Sequence, residues 1–236
     1  MAAHPDTAEK TPRAPLTRER VLQAAVEIAD ERGLAALTMR SLGQQLGVEA
    51  MSLYNHVTNK DDVLDGLVEV VTGEVLAAAE QIAPPADPSE WKAVMRARIL
   101  AARGVLLRHR WAPGLMETRT KSPPTAMQYF DSVLGLMLQG GFSLDLAHHA
   151  LHALGSRMLG FSQELFMDAD EAPEPEVGAL MLKQMEAHYP NLAALMRVVN
   201  HDADSTIGGC DDQFEFEFGL DLLLDGLERL RARYAA

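Results

Sequence analysis

Residues 39–57, MRSLGQQLGVEAMSLYNHV, place Leu42, Leu46, Val48, Leu53 and Val57 where two short helices crossing at a steep angle would bury them against a preceding helix. Gly43 is small where those helices approach, and Gly47 supplies the turn conformation between them. With that apolar set turned inward, Ala50, Met51, Ser52, Tyr54 and Asn55 face out. A short helix with such a face can reach base edges in a major groove about 12 Å wide. Lys60, beside the start of the next helix, joins a cation to free backbone N–H groups and forms a natural phosphate clamp. A three-helix unit with a glycine turn and no nucleic-acid partner would share this spacing, so the pattern alone leaves both readings open.

The overall charge of −13 argues at first against a nucleic-acid partner. Its distribution along the chain removes that objection. Of 21 basic and 34 acidic residues, seven of each lie within residues 1–60, leaving 14 and 27 beyond. The N-terminal quarter is neutral, and from Arg32 to Lys60 the one acid is Glu49. All of the excess acid follows.

The remainder reads as helix, because Ala, Leu, Met, Glu and Arg dominate and strand-like alternation is absent. Thr17 caps a first helix that Gly33 stops, Thr38 caps a second that Gly47 ends, and a short third helix spans Glu49 to Val57. Asn59 opens a fourth that runs to about Ile82 with two acids in its first turn. Asp87-Pro88-Ser89-Glu90 starts a fifth helix that reaches about His109. A Trp-Ala-Pro-Gly corner, a short helix and a helix to Gln139 follow, and Ser143 then caps a long apolar helix to about Met167. An acidic, Pro-rich stretch, a moderate helix broken near Pro190 and a polar stretch precede the final helix. The expected division is a disordered arm over 1–15, a helix-turn-helix domain over 16–62 and a larger helical domain over 63–236.

No uncharged stretch reaches the roughly 18–20 residues that cross a bilayer, and no apolar segment at the N-terminus resembles a signal peptide. The single Cys210 allows no internal disulfide and fits a reducing, cytoplasmic setting. HExxH, GxSxG, P-loop and GxGxxG motifs are all missing, so no enzyme is indicated.

The pieces GLAALTMRSLGQQLGV, SLYNHV and NKDDVL resemble the N-terminal domain of the tetracycline-repressor (TetR) family. Downstream, HRWAPGLMETRTKSPPTAMQYFDSVLGLMLQGGFSLDLAHHALHALGSRMLG and FEFGLDLLLDGLERL are similar to the ligand-binding domain of its tetracycline-responsive branch. The resemblance implies an all-α homodimer, with two recognition helices about one turn of DNA apart on a palindromic operator and repression relieved by a small molecule. An activator, or a ligand carrier of the same fold that no longer binds DNA, are the alternatives. Positions matching the family's DNA contacts are Thr38, Arg40, Ala50, Met51, Ser52, Tyr54, His56 and Lys60, beside the outward-facing Asn55. Thr38, Tyr54 and Lys60 are then phosphate contacts and Arg40 a donor to a guanine edge. Ala50 and Met51 replace polar or Pro residues of some relatives, which points to methyl and shape contacts there. His56 has a second reading as packing at the helix end, and Arg18 and Arg20 either add backbone contacts or form a solvated face.

On the ligand side the resemblance nominates Leu76, Arg98, Ala102, Met116, Leu151, Ser156 and Glu164. In tetracycline-binding members, several matching positions hold a magnesium–drug chelate. Here Leu76 and Ser156 stand where His would be, and Glu164 alone matches the metal-side acid that the partner subunit contributes. A different, largely apolar effector is therefore expected, with no metal and no cofactor. His148 and His152 lie four apart, but no Cys or acid of ligand spacing joins them, and their helix resembles a dimer-interface element. Phe218, Leu222, Leu223, Leu227 and Leu230 form either core or, paired with the 143–167 helix, a four-helix dimer interface through 212–233.

Overall fold

The computed structural model describes residues 15–160, 175–198 and 212–234. The described residues form α-helices and two short 3₁₀ turns, and no strand occurs among them. The first four helices are α1 (Arg18–Arg32), α2 (Met39–Leu46), α3 (Ala50–Leu53) and α4 (Lys60–Glu80). Next come α5 (Trp91–Arg108), α6 (Ala112–Thr118), α7 (Pro124–Gln139) and α8 (Leu144–Gly160). The chain ends with α9 (Pro175–His188), α10 (Pro190–Val198) and α11 (Asp212–Tyr234). All but the last residue of the expected 1–15 arm, the end of the 143–167 helix, and most of the acidic 168–176 and polar 200–212 stretches lie outside the described residues.

Local chemistry fixes the helix ends. Thr17 accepts the Arg20 N–H, Thr38 and Ser41 bond reciprocally, and Asn59 accepts the Asp62 N–H. Gly47 is left-handed (φ 67°, ψ 37°), and the Val48 N–H returns to the Gly43 carbonyl at 2.9 Å to close α2. α3 is shorter than the expected 49–57. Only Ala50–Leu53 is α-helical, because the next N–H groups tighten onto carbonyls three residues back, as from His56 to Leu53. The Trp-Ala-Pro-Gly segment opens α6 rather than preceding it, with Pro113 in the first turn, where its missing N–H costs nothing.

Two cores result. The smaller gathers Val21, Ile28, Leu37, Leu42, Leu53 and Val57 with Val63 and Leu67 of α4. Fully burying a Leu such as Leu42 or Leu53 contributes about 1.5–3 kcal/mol, which is how a single-turn helix is held. Leu46 and Val48 pack on this core only partly buried. The larger core takes Val71, Val75 and Ala79 from the same α4, then Trp91, Met95, Met137, Phe142, Phe216 and Leu220. Trp91 meets Phe142 edge-on with centroids 4.7 Å apart. The 62/63 division expected from sequence thus falls inside one continuous helix that belongs to both cores. No described helix is long and apolar enough to cross a membrane.

A Cβ on Gly43 would lie 2.9 Å from the Val48 carbonyl oxygen and 3.2 Å from the Ala50 nitrogen. These are backbone atoms and cannot swing away. Gly43→Val should therefore cost about 1–3 kcal/mol in urea unfolding, and an unchanged midpoint would show the α2–α3 contact to be loose.

Candidate nucleic-acid interface and effector cavity

The α2–α3 turn sets a contiguous outer face. Arg40, Met51, Tyr54, Asn55 and Lys60 are exposed, with Met51 at 75% and Tyr54 at 45%, while Ala50, Ser52 and His56 are half-buried. Two large side chains, Met51 on a one-turn helix and Tyr54 just past its end, are left in water, which makes sense where a partner covers them. Thr38 is exposed but already occupied, because its hydroxyl caps α2.

Arg18 has a role that neither a backbone contact nor a solvated face anticipates. Its guanidinium donates to Asp62 at 2.8 Å and to the His56 carbonyl at 3.4 Å, stapling α1 to the α3–α4 corner. Asp62 also accepts the Thr58 N–H at 2.7 Å. The Arg18 guanidinium first, and then the Thr58 N–H, hold the Asp62 carboxyl below the usual carboxylate range. Arg20 bonds the Pro15 carbonyl at 2.7 Å.

A second polar cluster ties this domain to the rest. His109, buried at the end of α5, sits with Nδ1 2.9 Å from Asp30 of α1 and Nε2 3.3 Å from Glu74 of α4. The Trp111 indole N–H donates to the same Asp30 at 2.6 Å. Arg119, which caps the end of α6, reaches Asp65 at 3.1 Å and Asp61 at 3.5 Å on α4. No sequence signal marks these pairs, because their partners lie 35 to 81 residues apart.

Beneath them, α4, α6, α7 and α8 enclose a cavity of about 710 Å³. Val68, Thr72 and Val75 of α4, Leu106 of α5, and Tyr129 and Phe130 of α7 form much of the wall. Burial pushes the Tyr129 phenol up to about 12, so it is a neutral wall at any physiological pH. Of the nominated residues, Met116, Leu151 and Ser156 line the cavity. Leu76, Arg98 and Ala102 do not: Ala102 is fully buried in the larger core and Leu76 packs against that core, while Arg98 stands close enough to Tyr129 for its charge to be felt there. On α5, Leu106, one turn beyond Ala102, is the residue that reaches the space. Glu164 lies outside the described residues. His148 and His152 line the cavity with rings 4.7 Å apart, and no group of three metal-ligating side chains occurs among the described residues.

A short outward helix on a glycine turn, joined by one long helix to a helical cavity domain, defines a helix-turn-helix regulator. Comparison with known proteins agrees. Residues 21–67 match the domain described as bacterial regulatory proteins, tetR family, and residues 84–231 match the tetracyclin repressor-like C-terminal domain. An HTH-type transcriptional regulator from Saccharopolyspora erythraea is 34% identical over 214 residues, covering 90% of this chain and 84% of its own. The class D tetracycline repressor protein from Escherichia coli is 33% identical, covering 90% and 89%. Apo ActR from Streptomyces coelicolor superposes with a TM-score of 0.73 at 27% identity, covering 94% and 99%, and ActR has also been solved in complex with actinorhodin. The chain belongs to the TetR family of ligand-responsive, DNA-binding transcriptional regulators, and the relatives it matches are regulators rather than enzymes.

The Arg18–Asp62 pair has a definite pH signature. A carboxyl with a depressed folded-state pKa adds stability above its ordinary value and loses it as pH falls. In thermal unfolding followed by circular dichroism, Arg18→Met should melt below wild type at pH 7. The difference should close as pH falls below about 4. A gap that persists at low pH would mean that Arg18 acts through packing instead.

Proposed function

We propose that this protein is a cytoplasmic homodimeric repressor that grips a palindromic operator and lets go when a small, largely apolar molecule fills the cavity. The observation that carries this reading is α4, whose first turns share a core with α1 and with Leu53 of α3 and whose later turns form a cavity wall. Tyr54 and Lys60 serve as phosphate contacts, with Thr38 and His56 at the edges of the same face. Arg40, Ala50, Met51, Ser52 and Asn55 face the bases, and the apolar Ala50–Met51 pair reads methyl groups and shape rather than hydrogen bonds. Met116, Leu151 and Ser156 contact the effector. A ligand can shift the two dimer geometries only by its difference in affinity for them, and a cavity bounded by the connecting helix provides that difference. ActR in complex with actinorhodin supports a small-molecule effector by analogy.

Dimerisation is supported by α11. Phe214, Phe218 and Leu222 are 55–56% exposed in one row at four-residue spacing. The stripe expected from sequence divides here: Leu227 is buried and Leu223 packs on the core, while Phe218, Leu222 and Leu230 stay outside.

Selection of bound genomic fragments followed by mobility shift tests the reading, which fails if no specific fragment is retained at low salt. Tyr54→Ala and Lys60→Ala should abolish specific retention yet leave the dimer intact. Any residual binding by Lys60→Ala should have a salt slope reduced by about one per half-site. Phe218→Glu should run as a monomer in sedimentation; a dimer would place the interface elsewhere.

A further inference from the structure

Arg119 stands at two places at once. Its Nη1 pairs with Asp65 and Asp61 in the first two turns of α4, immediately after Lys60. The same side chain lines the cavity, and its Nε is buried with no hydrogen-bond partner. A buried guanidinium N–H without an acceptor is uncommon and marks a place where a further acceptor would be stabilised. Lys121, two residues on, is exposed and lines the same cavity, and no carboxylate pairs with it among the described residues. Glu117 is the one acid among the described lining residues, and it is exposed to solvent. Beyond the two histidines His148 and His152 of α8, the rest of the wall carries no charged side chain: it is largely apolar or aromatic, with Leu106, Tyr129 and Phe130, and its other polar groups are Thr72, Ser122 and Ser156.

Resting on the reading that this cavity holds the effector, we propose that the effector is an organic anion. It has an aromatic or aliphatic body in the cavity and a carboxylate, sulfonate or acidic phenol held by Arg119 and Lys121. The same contact supplies the signal. An anion at Arg119 competes with Asp61 and Asp65 for one guanidinium, so its binding weakens the tie between the end of α6 and the start of α4. Linkage requires the converse: loss of the α4 acids tightens anion binding.

Two fluorescent probes with nearly the same body separate the charge from the cavity. These are 8-anilinonaphthalene-1-sulfonate, an anion, and N-phenyl-1-naphthylamine, which lacks the sulfonate. Titrated into the full chain, the anion should bind about tenfold or more tightly than the neutral probe. Arg119→Met and Lys121→Met should each weaken the anion by about tenfold and leave the neutral probe unchanged. Asp65→Asn should tighten the anion alone, an effect that a purely structural Arg119 would not produce. Lys121 makes no ion pair among the described residues, so Lys121→Met keeps the test valid if Arg119→Met misfolds. Leu151→Trp, which fills the cavity, should expel both probes. Equal affinity for the two probes, or equal weakening of both by Arg119→Met and Lys121→Met, overturns the anion proposal while the cavity remains the effector site. Retention of both probes by Leu151→Trp overturns the effector cavity itself.

Discussion

Everything in this fold depends on α4 being one helix in two cores. Its 21 residues span about 32 Å, with Val63 and Leu67 buried against α1 in the core that also takes Leu42 and Leu53, and Val71, Val75 and Ala79 buried against α5 and α7. A helix packed along its whole length curves only gently and resists a sharp kink, so displacement at one end is carried toward the other. The grip on α1 is equally close. A Cβ on Gly66 would lie 2.4 Å from a Leu22 methyl, which means that α1 rests directly on the α4 backbone. His109 and Trp111 add a polar hold on Asp30 from the far side, and His109 reaches Glu74 of α4 as well. The small domain is therefore carried by α4 and restrained by the α5–α6 corner, and its position reports on both.

The helix-turn-helix was legible in the sequence because its determinants are local. Thr17, Thr38 and Asn59 bond N–H groups three residues ahead, and Gly33 and Gly47 stop helices where a positive φ is needed. Such signals survive without knowledge of the rest of the chain. The cavity was legible only in part, for a geometric reason. Each residue step turns a helix face by about 100°, so a small error in phase moves a nomination from wall to core. Leu222 and Leu227 on α11 show the consequence, whereas Ala102 and Leu106 share a face of α5 and differ by one turn along its axis. Nothing local could reveal that Arg18 belongs to Asp62, 44 residues away, or that Asp30 serves a histidine 79 residues later. A solvated face and a stapling arginine have the same sequence pattern.

The charge problem that the sequence poses is resolved at the start of α4. Asp61, Asp62 and Asp65 follow Lys60 within two turns, where the helix dipole favours acids but a DNA phosphate would be repelled by them. At physiological salt, charges within about 8 Å still act on one another, so bare carboxylates here would oppose the phosphate contact proposed for Lys60. The fold answers with two arginines from different places. Arg18 covers Asp62 from within the small domain and is also held by the His56 carbonyl, a bond that exists whenever that domain is folded. Arg119 covers Asp61 and Asp65 from the effector domain, and only while the end of α6 stays in register with α4. One neutralisation is therefore permanent and the other conditional. On the proposed reading, withdrawing Arg119 would do two things with one motion: release a restraint on α4 and uncover negative charge beside the proposed DNA face. A weak mechanical shift and a local electrostatic penalty then act in the same direction. Under that proposal an acidic chain would bind DNA firmly in one state and be repelled from it in the other.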